Sequence, residues 1–413
     1  MPVRGRSPLL YCILPGYRDC QTPVATLSAS APPPRKLLLW LAFFALTAPL
    51  VHAQLSTEDH LQDPGFWPTR AADSRSEYAG PEACRQCHAQ KFEDQAKTAM
   101  RRNSFHANLS EALHSHPKLI FDVGPYHYII TSDADHSLYT VTNGKQTLSS
   151  PLLWAFGTPR IGQSYLFKRG DGNFYEARVT YFTSLKGLGF TPSRDLLHPK
   201  DVEQAMDRLV PPSEVKKCFS CHTTASVIGN QFDEQHLIPG VTCEACHGPG
   251  AKHVADMKAL MTGELSAGKQ DDIFNSAHLL PNDQVDFCGA CHGTWWDVKL
   301  SHVTGPSEAR SAPARLVTSK CWGKTGDSRL VCTSCHDPHL PLNTDDASYD
   351  HACLQCHNTV IGAALTKEHP GKACPVAKKD CASCHMPKVY VKEMHNYFTD
   401  HRIRIARAGE PFP

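Results

Sequence analysis

The chain has 413 residues, of which 42 are basic and 41 acidic, so its formal net charge is +1. This balance excludes the strongly basic composition that is typical of nucleic-acid-binding proteins. Eighteen cysteines are more than an ordinary enzyme of this size carries, and they point to cysteine chemistry.

The N-terminal region has the pattern of a secretion signal. Arg35 and Lys36 precede an apolar run, Leu37–Leu50, and Ala53 lies just beyond it. A charged start, a short apolar core and a small residue at the cleavage position are typical of a signal peptide. A membrane anchor is the alternative, although a bilayer span takes about 20 residues. We therefore predict that residues 1–53 are a leader cleaved near Ala53 and that the protein is periplasmic or extracellular.

Seven copies of the pattern C-x-x-C-H follow, and we number them motifs 1 to 7 in chain order. Motif 1 stands alone in residues 54–116, whereas motifs 2 to 7 crowd into residues 193–405. The cysteine pairs are Cys84 and Cys87, Cys218 and Cys221, Cys243 and Cys246, Cys288 and Cys291, Cys332 and Cys335, Cys353 and Cys356, and Cys381 and Cys384. The histidines that close the motifs are His88, His222, His247, His292, His336, His357 and His385.

The spacing of the motif has a chemical reason. Two thiols separated by two residues can each bond one vinyl group of the same porphyrin, and the next histidine then lies under the ring as an iron ligand. Zinc sites also use C-x-x-C pairs, but zinc does not need a histidine directly after each pair. A thioredoxin-type dithiol would explain one pair at most. The motifs therefore predict seven covalently attached haems c.

The haems change the expected charge of the protein. Each haem carries two propionates, so seven haems add roughly 14 negative charges when all are ionised. The loaded protein should therefore be acidic overall, without the basic surface that nucleic acid requires.

Residues 117–192 predict a small antiparallel β unit. Short β-branched and aromatic runs are separated by turn residues such as Asn143 and Gly144. The runs are Lys118–Asp122, Tyr126–Thr131, Leu138–Thr142, Ser164–Lys168 and Phe174–Thr183. We expect this unit to cover one face of the haem array. The alternative is that it shapes a surface for a substrate or a partner.

Residues 193–405 hold six of the seven motifs, which is too dense for a conventional side-chain core. The haems would instead supply the buried apolar area. The predicted fold class is a mainly α and irregular multihaem cytochrome c. It has short helices and loops around a haem-packed core, the small antiparallel β unit as an insertion, and a tail at residues 406–413.

Two cysteines beyond the leader, Cys321 and Cys374, lie outside the motifs. In an oxidising compartment, spare thiols are more often bonded than free. We therefore predict a Cys321–Cys374 disulfide, with two separate buried thiols as the alternative.

Each haem iron has a sixth coordination position. A second histidine gives a closed carrier of low potential, methionine raises the potential, and a vacant position leaves room for catalysis. Beyond the leader, sixteen histidines lie outside the motifs, enough to close seven sites. Those in suggestive contexts are His253, His339, His369, His395 and His401, and for each of them an exposed surface histidine is the alternative.

Three sequence elements carry a family resemblance: Gly240–Gly250 around motif 3, Cys381–Pro387 at motif 7, and Thr399–Ile403 beyond it. Over most of residues 78–405 the chain resembles the multihaem cytochromes related to hydroxylamine oxidoreductase and pentahaem nitrite reductase. It is most similar to seven-haem members that are often fused to tetratricopeptide repeats. They share a solitary first haem, a β-rich segment and a C-terminal His-Arg-Ile stretch.

The resemblance implies particular iron ligands. In such proteins the histidine of the Asp-His-Arg element binds a haem iron, which here is His401. His253 and His339 are implied in the same way. Relatives place a methionine or histidine ligand after the first motif, so Met100 is implied for motif 1, with His106 as its rival.

Two functions are consistent with the sequence. One is a relay that passes electrons along closely spaced haems, between redox partner proteins that include a membrane quinone-oxidising complex. The alternative is an oxidoreductase that acts on a small nitrogen or sulfur oxyspecies at one open haem. The lysine-ligated C-x-x-C-K motif of pentahaem nitrite reductase is absent from this chain and distal histidines are abundant, which favours the relay. Assembly into a longer conduit is compatible with it, and the oligomeric state stays open.

Overall fold

Antiparallel strands build the chain between motifs 1 and 2. The computed structural model describes residues 72–192, 198–266, 273–323, 330–357 and 374–413. Along its strands buried and exposed side chains alternate, as in Tyr128 and Ile130, which are buried on either side of the less buried Ile129. The strands are β1 (Ser104–His106), β2 (Lys118–Val123), β3 (Tyr126–Ser132), β4 (Ser137–Thr142), β5 (Thr147–Pro151), β6 (Trp154–Thr158), β7 (Gly162–Lys168), β8 (Phe174–Phe182), β9 (Gly187–Phe190) and β10 (Asp207–Leu209).

These strands form two sheets. The first is a four-stranded meander in the order β2-β3-β4-β5, and the second is six-stranded in the order β1-β6-β7-β8-β10, with β9 also paired to β8. Aromatic rings join the sheets: the centroids of Tyr139 and Phe167 lie 6.0 Å apart, and those of Tyr128 and Phe190 lie 6.3 Å apart. The buried Tyr139 hydroxyl donates to the carbonyl of Met206 at 2.9 Å, so its polar end is satisfied inside the core.

The five predicted β runs are confirmed as β2, β3, β4, β7 and β8. The β unit is larger than predicted, since it begins at Ser104 and ends at Leu209. The outer strands β1 and β10 are short and contain polar residues. They form strands because they pair with the edges of β6 and β8. This pairing depends on distant residues, so the residues of the short segments alone do not predict it.

The helices are short, as predicted. They are α1 (Pro81–Arg85), α2 (Ala89–Gln95), α3 (Glu111–Ser115), α4 (Val202–Met206), α5 (Pro212–His222), α6 (Cys243–His247), α7 (Ala251–Thr262), α8 (Pro281–His292), α9 (Trp295–Leu300), α10 (Ala312–Leu316), α11 (Lys320–Gly323), α12 (Asp350–His357) and α13 (Cys381–His385). Proline stands at the start of α1, α5 and α8, where its missing N–H costs no helical hydrogen bond. Gly263 ends α7 in the left-handed conformation, with φ +79°.

Three two-stranded ladders complete the regular structure. Their strands are β11 (Thr223–Thr224) with β14 (Ile238–Pro239), β12 (Val227–Ile228) with β13 (Gln231–Phe232), and β15 (Lys388–Val391) with β16 (Asn396–Thr399). Short 3-10 turns occupy Arg75–Glu77, Ala107–Leu109, Ser276–His278, Gly305–Arg310, Cys332–Ser334, Asp346–Tyr349 and Lys392–Met394.

The described residues all belong to one compact unit, Leu55–Pro413. Within them, helices are too short or too polar to cross a bilayer. The predicted signal peptide, its cleavage site at Ala53 and the candidate ligand His369 lie outside the described residues.

Candidate haem-attachment sites

Most motifs lie on helix ends. Helices α5, α6, α8, α12 and α13 all end at the histidine of a motif. Residues three apart on a helix share a face, so both cysteines of a pair point the same way. Motif 1 begins in α1 and its His88 directly precedes α2. In motif 5, Cys332 begins a 3-10 turn and Cys335 directly follows it, and such a turn also has a three-residue period.

The cysteines of different motifs meet in pairs. In four pairs the thiols lie close enough for one to affect the pKa of the other: Cys84 and Cys243, Cys221 and Cys291, Cys288 and Cys332, and Cys353 and Cys381. Motif 1 therefore adjoins motif 3, motif 4 adjoins motifs 2 and 5, and motif 6 adjoins motif 7. Cys221 also contacts the carbonyl of Ala290, inside motif 4, at 3.5 Å.

A buried carboxylate joins motif 3 to the chain in front of motif 1. Glu244 lies between the two cysteines of motif 3 and is 1% exposed. It accepts hydrogen bonds of 2.8 Å from the backbone N–H groups of Ala79, Gly80 and Gly250. Burial, together with the nearby Glu244 carboxylate, raises the pKa of Tyr78 to about 12. In the sequence, Glu244 is one acidic residue inside a motif, with no local signal that it contacts a distant segment.

A glycine allows a second contact between these segments. At Gly240, where φ is +76°, an added Cβ would lie 2.0 Å from the carbonyl oxygen of Arg101. Only glycine, which has no Cβ, fits so close to that carbonyl. The approach lets Val241 donate to the carbonyl of Met100 at 3.0 Å and accept from the side chain of Gln95 at 2.6 Å.

Aromatic residues surround motif 2. Phe219, between the two cysteines, is fully buried and packs edge-on against Trp154 and Phe156 of β6 at 5.2 and 5.0 Å. Phe156 also contacts the ring of His222 at 5.2 Å. Desolvation lowers the pKa of His222 to about 4, so this imidazole is neutral at pH 7, the form that ligates a metal.

Further contacts link motifs 4, 5, 6 and 7. Thr333 of motif 5 donates to the side chain of Gln284, on α8 of motif 4, at 2.7 Å. His336 of motif 5 contacts Tyr349, directly before α12 of motif 6, with ring centroids 5.3 Å apart. The Asp350 carboxylate at the start of α12 accepts the backbone N–H of Cys381 at 2.8 Å. These contacts join motif 1 to motif 3 and link motifs 2, 4, 5, 6 and 7. The two groups meet where the ring of His339, three residues after motif 5, lies 6.1 Å from the ring of His247 of motif 3, so the attachment sites form a connected series.

Backbone carbonyls orient several imidazoles. Nδ1 of His247 lies 2.7 Å from the carbonyl oxygen of Phe274, and Nδ1 of His385 lies 2.8 Å from that of Arg404. Nδ1 of His401 lies 3.0 Å from the carbonyl oxygen of Thr399. Since a carbonyl accepts only from an N–H, the proton is on Nδ1 and the Nε2 lone pair is left for a metal.

Two candidate distal ligands lie beside motif histidines. The ring centroids of His339 and His247 are 6.1 Å apart, with planes 11° from parallel. The ring centroids of His401 and His336 are 6.3 Å apart. Desolvation also lowers the pKa of His401 to about 4. His339 thus lies next to motif 3 rather than next to its own motif 5.

The other candidates lie in varied surroundings. Nδ1 of His253 is buried and has no hydrogen-bond partner among the described residues. His395 packs edge-on against Phe182 of β8 at 4.7 Å. Met100 is partly buried in a turn, and its rival His106 is exposed on β1 with its ring 4.1 Å from that of Trp154. These contacts do not bring His395 or His106 to a motif histidine.

The predicted Cys321–Cys374 disulfide is wrong, because Cys374 is a free thiol. The sulfur of Cys374 instead accepts hydrogen bonds from the backbone N–H groups of Val376 and Ala377, which lower its pKa. The thiol is held within its own turn.

The residues fit a covalently attached haem better than zinc. Within the described part of the chain, groups of three or more His, Cys, Asp or Glu side chains that could hold a bare metal ion are absent. The motifs instead present two cysteines and one histidine, and the imidazoles of His247 and His385 are oriented by backbone carbonyls. That donor set suits a porphyrin iron, which needs axial nitrogen ligands and two attachment thiols.

Comparisons with known proteins give two sequence matches and one structural neighbour. Residues 193–248 match the family described as cytochrome c554 and c-prime. The chain is 24% identical over 214 residues to the multiheme cytochrome MtrA of Shewanella baltica, a match that covers 42% of this chain and 62% of that protein. The crystal structure of the outer cell wall cytochrome OcwA superposes with a TM-score of 0.44 and 14% identity, over 79% of this chain and 80% of that one.

The motifs and the sequence matches define a cytochrome that holds several haems of the c type. By these matches the chain is similar to multihaem cytochromes of the c type. It spans less than two thirds of the length of MtrA.

Proposed function

We propose that the protein is an exported electron-transfer protein in which seven haems c, one on each motif, form a continuous relay. The observation that carries the proposal is the connected series of attachment sites. Contacts join motif 1 to motif 3, motif 3 to the segment after motif 5 through His247 and His339, motif 2 to motif 4, and motifs 4, 5, 6 and 7 in order. Bound in such a series, the haems supply one-electron redox couples between which electrons pass.

The histidine pairs supply ligands for two closed sites. A metal–nitrogen distance of about 2 Å on each side of an iron separates two axial imidazole centroids by roughly 6 Å. The separations of His247 from His339 and of His336 from His401, 6.1 and 6.3 Å, agree with that value. We propose that His339 is the distal ligand at motif 3 and that His401 is the distal ligand at motif 5.

The candidates His253, His369, His395 and Met100 remain proposals for other sites. His253 has the strongest support among them, because its buried Nδ1 lacks a partner within the described residues and a buried polar atom of this kind needs one. For His395, the contact with Phe182 favours a role in packing the C-terminal hairpin β15–β16 on the β unit.

A relay is favoured over an enzyme because every motif ends in histidine and, at two of them, a second imidazole ring lies at a distance that suits axial ligation. Six-coordinate irons exchange electrons but leave no position for a substrate. The β unit packs on motif 2 through Phe156 and Phe219, so its proposed part is to cover the haems there. Redox proteins are the proposed partners, among them a quinone-oxidising complex in the membrane.

The test is the carbon monoxide spectrum of the mature protein. A pyridine haemochrome assay first gives the haem content, which should be seven per chain. The dithionite-reduced protein should then show the same Soret and α bands with and without carbon monoxide. A shift equivalent to one haem in seven would overturn the closed relay and favour the oxidoreductase, and the reduction of nitrogen and sulfur oxyspecies would then be assayed.

A further inference from the structure

Asp400 and Arg315 form a deeply buried ion pair beside the proposed ligand His401. Asp400 is 0% exposed and Arg315, on α10, is 3% exposed. The Arg315 guanidinium donates through Nε to Oδ1 at 2.8 Å and through Nη2 to Oδ2 at 3.0 Å. This two-pronged contact is the most directional form of an ion pair between side chains.

Other charges and a ring enclose the pair. Arg404 donates to Asp400 at 2.7 Å and also pairs with Glu410 at 3.0 Å. Arg315 pairs with Glu308 at 3.0 Å, and the ring of Phe412 lies 4.4 Å from its guanidinium carbon. Buried charges need such partners, since removing one leaves another uncompensated. The buried centre of the network, Asp400 with Arg315, therefore depends on both partners, whereas Glu410 lies at its rim.

The same residues fix the backbone on both sides of His401. Oδ1 of Asp400 accepts the N–H of Arg402 at 3.1 Å, and the N–H of Asp400 donates to the carbonyl of Pro387 at 3.0 Å. Ser319, close to α10, donates to the carbonyl of His401 at 3.2 Å and accepts the N–H of Ile403 at 2.8 Å. His401 is thus held between two anchored neighbours.

This anchored segment contacts two motifs. The His401 ring faces His336 of motif 5, with centroids 6.3 Å apart. Three residues further on, Arg404 donates its N–H to the carbonyl of His385 at 3.1 Å and its carbonyl lies 2.8 Å from His385 Nδ1. A shift of the segment would therefore move the proposed ligand of motif 5 and the carbonyl that orients the histidine of motif 7.

We propose that Asp400 and Arg315 are positioning residues that hold His401 in place as the distal ligand at motif 5. The inference rests on the proposed ligation by His401. An imidazole on a segment without such anchors would lose much conformational freedom on binding a metal, and the ion pair removes that freedom in advance.

The test compares variants of the loaded protein by their reduced spectra with and without carbon monoxide. His401→Ala should open one haem in seven to carbon monoxide. Asp400→Asn keeps the shape of the side chain but removes its charge. It should open the same haem to carbon monoxide and give a large fraction of the spectral change seen with His401→Ala. Arg315→Lys keeps the charge and should open less. Adding Asp400→Asn to His401→Ala should give no further signal.

The control is Glu410→Gln at the rim of the network, which should leave the spectrum unchanged. The inference is overturned if His401→Ala opens a haem but Asp400→Asn and Arg315→Lys lower only the unfolding temperature. If His401→Ala itself opens no haem, the ligation by His401 is wrong, and the positioning role is overturned with it. The relay proposal is still judged separately by the wild-type spectrum.

Discussion

The rings of His247 and His339 lie 6.1 Å apart with planes 11° from parallel, although each follows a different cysteine pair. Nδ1 of His247 is occupied by the carbonyl of Phe274, and Nδ1 of His339 lies 3.0 Å from the Asp337 carboxylate. Both rings therefore have Nε2 available for a metal. Hydrogen bonds of this kind fix the tautomer and the orientation of ligating histidines.

We predict that His339→Ala opens the haem at motif 3. With no second imidazole, that iron should become five-coordinate or bind water, and the reduced protein should bind about one carbon monoxide per chain. Gas titration followed in the Soret band measures the stoichiometry. His236→Ala is the control, because His236 is exposed and pairs with Asp233 at 3.0 Å. Carbon monoxide binding that matches the wild type would rule out His339 as a ligand.

Local patterns predicted much of this molecule. The motifs need only five consecutive residues, and the short helices that carry most of them agree with the short helices and loops predicted around the haems. The β runs alternate over a few residues, so β2 to β4 match the predicted ranges within one residue at each end. In each case the chemistry and the structure lie within one short segment.

Contacts between distant segments could not be predicted in this way. Glu244 reads in the sequence as one acidic residue inside a motif, and its role depends on the backbone of Ala79 and Gly80 approaching it. The resemblance named His339 and His401 as ligands but not the motifs they would serve, because that pairing depends on the path of the chain. The disulfide prediction failed for the same reason, since counting spare cysteines carries no geometry.

We predict that Glu244→Gln loosens the contact between motif 1 and motif 3. The amide that replaces one carboxylate oxygen donates rather than accepts, so one of the three backbone N–H groups loses its partner. Leaving a buried group unpaired costs about 1–3 kcal/mol. Denaturant unfolding of the loaded protein measures the loss, and limited proteolysis should cut in front of motif 1.

The control for this variant is Glu82→Gln, since the Glu82 side chain on α1 is 72% exposed and its ion pair contributes little. Equal unfolding free energies for the two variants would show that the buried carboxylate does not hold the motifs together.

We predict that Phe219→Ala separates motif 2 from the β unit. The ring is fully buried against Trp154 and Phe156, and it lies 4.8 Å from Phe232. Truncation of a buried phenylalanine costs about 3–5 kcal/mol. Both cysteines and the histidine of motif 2 remain, so the haem content should stay at seven while the midpoint of unfolding falls. Leu209→Ala, at a side chain 51% exposed, should change little, and a similar fall there would argue against the specific contact.

We predict that Asp207 makes the stability of the β unit depend on pH. This carboxyl group on β10 is 5% exposed and pairs with Arg169 at 2.7 Å. Burial raises its pKa to about 6 despite the pair. Because the pKa is higher in the folded state than in the unfolded chain, the folded protein holds the proton more tightly. The contribution of Asp207 to the free energy of unfolding is fully present below about pH 4, the pKa of an aspartate in the unfolded chain. This contribution is lost as the pH rises through about 6, the pKa in the folded protein.

Asp207→Asn isolates this contribution, because its amide stays neutral at every pH. The free energy of unfolding of the wild type, minus that of Asp207→Asn, should fall by up to about 3 kcal/mol between pH 4 and pH 7. Guanidinium titrations at several pH values measure both curves. The contributions of all other titratable groups cancel in this difference. The exposed Asp135 provides a matched control: the free energy of unfolding of the wild type minus that of Asp135→Asn should not change with pH. Parallel curves for the wild type and Asp207→Asn would mean that the Arg169 charge holds Asp207 ionised in the folded protein.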